Sequence, residues 1–290
     1  MGRRIKLIGS AIGNCGRALG CEKTPALILD KLHSQFPALD SSIHDYNGTN
    51  ADLERLQSYF GQVAGEIIES SQKEALFPLM LGGDHACAIG SWSGVAGALA
   101  QKNAQLGLIW VDAHMDAHRP DTSESGNLHG MPVAHLLGYG HQQLTSIGFH
   151  SAKIQPENLV YFAVRSFEPA EEELLQKLGV KIYYRHLLTN ENFMDLFNQE
   201  FERLSQQTNG NVGISLDLDA LDPEQIMAVS VPEEDGISPD LFLKTVRQLD
   251  SRKLVAFEIS EYNPLLDNDN RSLNYMLELL TVLIDKVNCE

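Results

Sequence analysis

Short apolar runs alternate along this chain with longer stretches of helical period. IKLIG (5–9) is followed by TPALILDKLH (24–33), and FPLML (77–81) by the segment from Cys87 to Gln101. LGLIWV (106–111) comes next, then NLVYFAV (158–164) with PAEEELLQKLG (169–179) behind it. VKIYY, NENFMDLFNQEFERL, NVGISLDL, SPDLFLKTVRQL, KLVAFEIS and a last helical stretch from about Asn270 to Val287 continue the rhythm. Brief apolar runs read as strands and the 3.6-residue patterns as helices. Their alternation predicts a three-layer α/β/α sandwich with a mainly parallel sheet of about eight strands. LGLIWV and NVGISL are apolar almost throughout and are expected to be central strands covered on both faces. Thr24-Pro25, Glu168-Pro169 and Ser238-Pro239 mark helix starts, because proline lacks only an N–H that the first turn leaves unpaired anyway. Ala113 to about Met131 has no period, and segments of that length in compact domains usually carry function.

In open parallel sheets, ligands bind beyond the carboxyl ends of the strands. After FPLML comes GGDH (82–85); after LGLIWV comes DAHMDAH (112–118); after NVGIS comes LDLDALDP (216–223); KLVAFEIS carries Glu258 and leads to Glu261. Each has a plain structural reading: a hydrogen-bonded histidine, aspartates that shape a turn, a solvated strand end. Together they point elsewhere. Alternate positions of an extended segment face one side, so Asp112, His114, Asp116 and His118 can converge. If Asp112, Asp116, Asp217 and Asp219 meet, four negative charges share a confined space, and unpaired buried charge is severely unfavourable. No Lys or Arg lies inside these motifs. Two divalent cations would balance the four aspartates, with His85 and His114 adding neutral nitrogen donors. Oxygen-rich ligation suits Mn(II) better than a thiolate-loving metal, with Zn, Co, Ni and Fe as alternatives. Two such ions, roughly 3.5–4 Å apart, can lower the pKa of a shared water from about 15.7 towards 7. The expected chemistry is hydrolysis at an electrophilic carbon or phosphorus.

Composition narrows the partners. The 290 residues suffice for one large α/β domain, expected to span 1–290, and 43% hydrophobic with 21% charged residues is ordinary globular usage. A formal net charge of -17 sets the chain against phosphate-bearing partners, so neither nucleic acid nor anionic membrane is expected. No run of about 18 apolar residues is present to span a membrane. MGRRIKLIGS has a basic start but too short an apolar core for a signal peptide, and Lys6 stands where a myristoylated Gly2 wants Ser or Thr. Cys15, Cys21, Cys87 and Cys289 form no CxxC pair, which points to reduced thiols and a cytoplasmic location. Cys87 lies at a presumed helix start that would lower its pKa, yet no role is assigned to it. Trp92 and Trp110 read as core, and His33, His44, His135, His141, His150 and His186 as structural or surface residues.

GGDH, DAHMD, SGNLHG (125–130), SLDLDALDP (215–223) and SEYNP (260–264) occur in an order that resembles the ureohydrolase family, over most of the chain from Gly82 to Pro264. SGNLHG is more similar to arginases than to agmatinases. The resemblance implies an arginase-like three-layer fold, two Mn(2+) per chain and attack of a metal-bridging hydroxide on a guanidinium carbon, giving urea and an amine. One ion would be held by His85, Asp112, Asp116 and Asp217, the other by Asp112, His114, Asp217 and Asp219, with Asp112 and Asp217 bridging. Asp116 would carry the proton to the leaving amine, His129 would exchange protons with solvent, and Glu261 would pair with the guanidinium. Ser125 and Asn127, with Ser123 and His118 beside them, would face the carboxylate of an amino acid, and Glu168 and Glu171 its α-amino group. The plain readings are a loop histidine for His129, turn formers for Ser125 and Asn127, and an acidic first helical turn for the two glutamates. L-arginine is the implied substrate, with agmatine, a guanidino acid or formimidoylglutamate as alternatives. A metal-binding homologue without turnover is the reading from another class. Trimers or hexamers are implied as well. Three departures bear on the substrate: Ser230-Val231-Pro232 replaces Gly-Thr-Pro, Asp235-Gly236 replaces a glycine pair, and Thr24-Pro25 replaces glycine-proline.

Overall fold

The computed structural model describes residues 3–73 and 75–289. Met1 and Gly2, at the basic start of the chain, lie outside that range. Among the described residues, eight strands form one sheet: β1 (Arg4–Ala11), β2 (Asp40–Asp45), β3 (Leu76–Gly82), β4 (Gly107–Val111), β5 (Leu159–Val164), β6 (Lys181–Tyr184), β7 (Val212–Asp217) and β8 (Leu254–Ser260). Nine helices accompany them among the described residues: α1 (Thr24–Gln35), α2 (Leu53–Lys73), α3 (Ala88–Ala100), α4 (Pro132–Leu136), α5 (Gln142–Thr145), α6 (Pro169–Leu178), α7 (Phe193–Gln207), α8 (Pro239–Gln248) and α9 (Arg271–Asn288). Every strand pairing is parallel, in the order β2-β1-β3-β8-β7-β4-β5-β6.

Alternation along each strand splits the core into two layers. Ile109 and Val111 of β4, Phe77, Leu79 and Leu81 of β3, and Val212, Ile214 and Leu216 of β7 face α1, α7, α8 and α9, where Phe197, Phe201, Phe242 and Met276 meet them. Leu108 and Trp110 of β4, Met80 of β3 and Tyr161 of β5 face the other way, against Phe60 and Val63 of α2 and Ile89 and Trp92 of α3. The sandwich is therefore the one expected, and both tryptophans are core residues with no exposed surface.

The expected helix starts at Thr24-Pro25, Glu168-Pro169 and Ser238-Pro239 are present, and Ser238 caps α8 by accepting from Leu241 N. The apolar rhythm names no element for β2 or α2. β2, DSSIHD, is a half-exposed polar strand at the edge of the sheet, with one face against solvent and so no apolar run to betray it. α2 buries Leu56, Phe60, Val63 and Ile67 at helical spacing, a pattern interrupted by enough polar residues to escape a search for short apolar runs.

The strand order gathers the candidate chemistry in one place. The four strands that carry acids and histidines at their carboxyl ends, β3, β8, β7 and β4, are consecutive neighbours in the middle of the sheet.

Candidate metal centre and active site

The turn after β3 sets the first ligand. Gly83 N donates to Ser10 O at 2.9 Å and Asp84 N to Ile12 O at 2.8 Å, which draws the chain so close to the end of β1 that a Cβ on Gly83 would stand 1.7 Å from Ile12 O. Only glycine fits there. Asp84 spends both oxygens on backbone N–H groups, Cys15 at 2.8 Å and Ala86 at 3.1 Å, and so fixes the turn that presents His85. The His85 ring lies flat on Trp110, with centroids 4.2 Å apart.

Behind His85, a chain of hydrogen bonds selects its tautomer. Glu258 Oε1 accepts from Trp92 Nε1 at 2.8 Å and from Ser215 Oγ at 2.9 Å. The Ser215 hydroxyl hydrogen is thereby used, so Ser215 accepts from His85 Nε2, 3.0 Å away. In the neutral ring that leaves His85 Nδ1 without a hydrogen, and it faces Asp112 Oδ2 at 3.2 Å, Asp116 Oδ2 at 3.1 Å and Asp217 Oδ2 at 3.1 Å. Burial opposes the charged ring, but these carboxylates raise the imidazole well above its ordinary pKa when no cation stands between them.

Asp112, Asp217 and Asp219 are arranged on one scheme, in which a backbone N–H occupies one oxygen and the other is turned to the centre, where Asp112 Oδ2 also accepts from Trp110 Nε1 at 2.8 Å. Asp112 Oδ1 accepts from His114 N at 2.7 Å, Asp217 Oδ1 from Asp219 N at 2.9 Å and Asp219 Oδ1 from Ala113 N at 3.2 Å. Asp219 Oδ2 then lies 3.0 Å from His114 Nδ1. Two ligand-like groups result: His85, Asp112, Asp116 and Asp217, all buried, and Asp112, His114 and Asp219, with the candidate atoms of each group within 4.8 Å of one another. Asp112 belongs to both.

These residues fit a divalent metal on a structural observation. Among the described residues, His85 Nδ1 and Asp116 Oδ2 are buried with no hydrogen-bond partner, 3.1 Å apart. Buried polar groups of native proteins are almost always satisfied, so two orphaned atoms aimed at one point call for a cation between them. The electrostatics agree. Burial, then the charges of Asp219 and Asp112, push the Asp217 carboxyl well above the carboxylate range. Burial and Asp112 push Asp116 up to about 7. Among the described residues, no lysine or arginine head group bonds these carboxylates; Arg165 approaches Asp219 but donates to backbone carbonyls, those of Asp219 at 2.6 Å and Glu233 at 2.9 Å among them.

Two site residues adopt the left-handed backbone region, Asp116 at φ 49° and Glu261 at φ 65°. Such strain at non-glycine residues concentrates where side-chain placement matters. The surrounding bonds enforce it: Val133 N donates to Asp116 O at 2.9 Å and Glu261 N to Gly83 O at 2.8 Å. Glu261 Oε1 accepts from His85 N at 2.8 Å and lies 3.2 Å from His129 Nδ1. Burial works against the charged His129, but the hydrogen bond and charge of Glu261, with Asp116 and Asp84 behind them, raise that imidazole to about 9.

A cavity of about 400 Å³ opens over this centre. His118, Ser123, Ser125, Asn127, Glu168, Glu171 and Glu261, the residues expected to face substrate, all line it, with His114, Asp116, His129, Asp217 and Asp219. Their surroundings separate them. Glu171 accepts from Ala117 N at 3.0 Å and Glu168 N at 2.9 Å and closes the capping box of α6, so the helix-start reading describes it well. His118 turns Nε2 towards Glu171 at 3.3 Å and Glu168 at 3.4 Å, which places it on the acidic wall. Glu168 is the freer acid, with a largely exposed side chain.

Arg17, Ser166, Phe167 and Glu233 also line the cavity, and no sequence motif pointed to them. Ser166 and Phe167 follow β5 and Arg17 follows β1, so the carboxyl-end rule would have found them had it been applied to strands without acids or histidines. Glu233 Oε1 stands 3.5 Å from His114 Nε2, directly after the altered Ser230-Val231-Pro232. The expectation that a helix start lowers the Cys87 pKa is corrected: burial, then Glu258, pushes this thiol well up. His135 is structural as expected, buried with Nδ1 2.8 Å from Met131 O.

Comparison with known proteins gives the family. The chain is 35% identical over 252 residues to an arginase of Bacillus caldovelox, covering 87% of this chain and 79% of that one. A crystal structure of arginase from Bacillus subtilis superposes with a TM-score of 0.86 at 30% identity, covering 97% of this chain and 98% of that one. An Entamoeba histolytica arginase in complex with L-ornithine superposes with a TM-score of 0.84 at 25% identity, covering 98% and 99%. The arginase family model matches residues 4–284, and the chain belongs to the arginase family, an amidine hydrolase acting on carbon–nitrogen bonds other than peptide bonds.

Proposed function

We propose that this chain hydrolyses the guanidinium group of L-arginine to L-ornithine and urea with two Mn(2+). The observation that carries the proposal is the pair of orphaned atoms, His85 Nδ1 and Asp116 Oδ2, where the buried Asp112, Asp116 and Asp217 meet, with Asp219 in the adjoining group. His85, Asp112, Asp116 and Asp217 would hold one ion, and Asp112, His114, Asp217 and Asp219 the other. An oxygen-rich set with two imidazoles favours Mn(II) among the alternatives. When bound, such ions lower the pKa of water towards neutrality and so supply a nucleophile.

The chain's own groups do the rest. Asp116 takes the proton of the nucleophile and passes it to the leaving amine; burial and Asp112 raise its carboxyl, and a neighbouring cation lowers it again. Glu261 pairs with the guanidinium and holds the reacting carbon in place, an orientation effect. His129, beside Glu261 and partly open to the cavity, exchanges protons with solvent. Ser123, Ser125 and Asn127 address the amino-acid end of the substrate, as do Glu168, Glu171 and His118 from the acidic wall. The same reading takes residues 1–290 as one domain of a homo-oligomer, trimer or hexamer, in a reducing compartment such as the cytoplasm. Free cysteines at positions 15, 21, 87 and 289 support the last point. No helix among the described residues is long and apolar enough to cross a membrane.

Val231 on the cavity wall favours a second reading, because it leaves no hydroxyl where the family has threonine. In that reading, agmatine, a guanidino acid or formimidoylglutamate is the substrate. Urea release from L-arginine, agmatine and a guanidino acid, and formamide release from formimidoylglutamate, measured beside the metal content of the Mn(II)-loaded protein, decide the matter. Preference for L-arginine is expected. Preference for agmatine would overturn the substrate, and two bound metals without turnover of any compound would overturn hydrolysis itself.

A further inference from the structure

The cavity is acidic almost throughout. Arg17 is the one Lys or Arg among the described residues that line it, and Glu124, Glu168, Glu171 and Glu233 line it in addition to the acids of the candidate metal centre. Two dications would neutralise four aspartates and leave those glutamates uncompensated. A substrate that carries a carboxylate must approach through this field, and like charges repel it. Arg17 is exposed, and no hydrogen bond or ion pair occupies its guanidinium among the described residues.

Its position is built into the site. The loop after β1 is tied to the catalytic turn by Cys15 N donating to Asp84 Oδ2 at 2.8 Å and to the His129 loop by His129 N donating to Cys15 O at 3.1 Å. Gly16 packs so close that a Cβ there would lie 3.4 Å from His129 Nδ1. The neighbouring loop presents donors. Ser123 Oγ accepts from Gly126 N at 3.1 Å and Ser125 Oγ from Asn127 N at 3.2 Å, so each hydroxyl has spent a lone pair and keeps its hydrogen to give. His118 is turned to Glu168 and Glu171 and offers little to an anion. Arg17 supplies the permanent positive charge on this side of the cavity that no acid engages, since the His129 imidazole is paired with Glu261.

We propose that Arg17 is the specificity-determining residue that recognises a carboxylate on the guanidino substrate, its planar fork of N–H donors matching the two carboxylate oxygens. This rests on the hydrolase reading above. Arg17 contributes to binding in ground and transition states alike, so its loss appears in KM and leaves kcat little changed.

The test uses the Mn(II)-loaded protein with L-arginine and agmatine, which differ by the carboxylate. Arg17→Gln should raise the KM for L-arginine about tenfold, the range of one charge-assisted hydrogen bond, and lower the arginine-to-agmatine ratio of kcat/KM by the same factor. Arg17→Lys should restore part of the ratio, and Arg17→Glu should lower it further. Calorimetry with L-ornithine, which is not turned over, should rank the variants alike. An unchanged ratio, or equal loss on both substrates, overturns the proposal. Wild-type protein that releases urea from neither compound fails at the hydrolase reading, a result distinct from an active wild type whose ratio ignores Arg17.

Discussion

His85 Nε2 lies 3.0 Å from Ser215 Oγ, whose hydrogen is already given to Glu258. In the neutral ring this relay keeps the hydrogen on Nε2 and turns the Nδ1 lone pair to the aspartates. Ser215→Ala should therefore weaken metal binding about 10- to 100-fold, the usual effect of removing a partner behind a ligating histidine. Metal titration monitored by calorimetry, with circular dichroism to verify folding, reads the change. Unaltered affinity would mean that something else holds the tautomer.

Asp112 is common to both ligand-like groups. Asp112→Ala should lose both ions and all but a trace of urea production. Elemental analysis after gel filtration is the measurement, and two ions per chain in the variant would show that Asp112 does not bridge.

His129 lies at the cavity, 3.2 Å from Glu261 Oε1 and outside both ligand-like groups. His129→Ala should reduce kcat by about 10²-fold, the lower range for a general acid or base. Metal content should stay near wild type. Loss of metal would instead assign His129 to the ligands or to the fold.

His135 offers a pH test away from the centre. Its ring is buried, with Nδ1 on Met131 O at 2.8 Å and Nε2 accepting from His141 N at 3.0 Å, and burial lowers its pKa from 6.5 to about 4. The neutral ring stabilises the fold fully above pH 6.5, and this contribution, about 3 kcal/mol at most, is lost as pH falls from 6.5 through 4. His135→Gln should remove the acid-side slope that this one proton adds. Urea denaturation of wild type and variant between pH 7.5 and 4 provides the comparison; parallel stability curves would refute the assignment.

The candidate metal-centre residues were legible because their spacing is local. Asp112, His114 and Asp116 follow one strand at alternate positions, and Asp217 and Asp219 end another. A rule about where parallel sheets bind ligands then sufficed to gather them. Glu171 shows the limit of that reasoning, since its motif position suggested substrate and gave no sign of the two bonds to Ala117 and Glu168 N–H groups that also give it work in the fold.

By itself, the sequence determined the layers and the chemistry: hydrophobic period sets which face of each element is buried, and acids too close to coexist demand a cation. Only the tertiary structure decided the strand order that makes β3, β8, β7 and β4 neighbours, the Ser215–Glu258 relay behind His85, and the arrival of Arg17 and Glu233 at the cavity. The physical reason is range. Period and spacing act over a few residues, whereas Cys15 meets Asp84 and His129, and Glu233 meets His114, across 69 or more residues of chain through loops whose course is set by packing elsewhere.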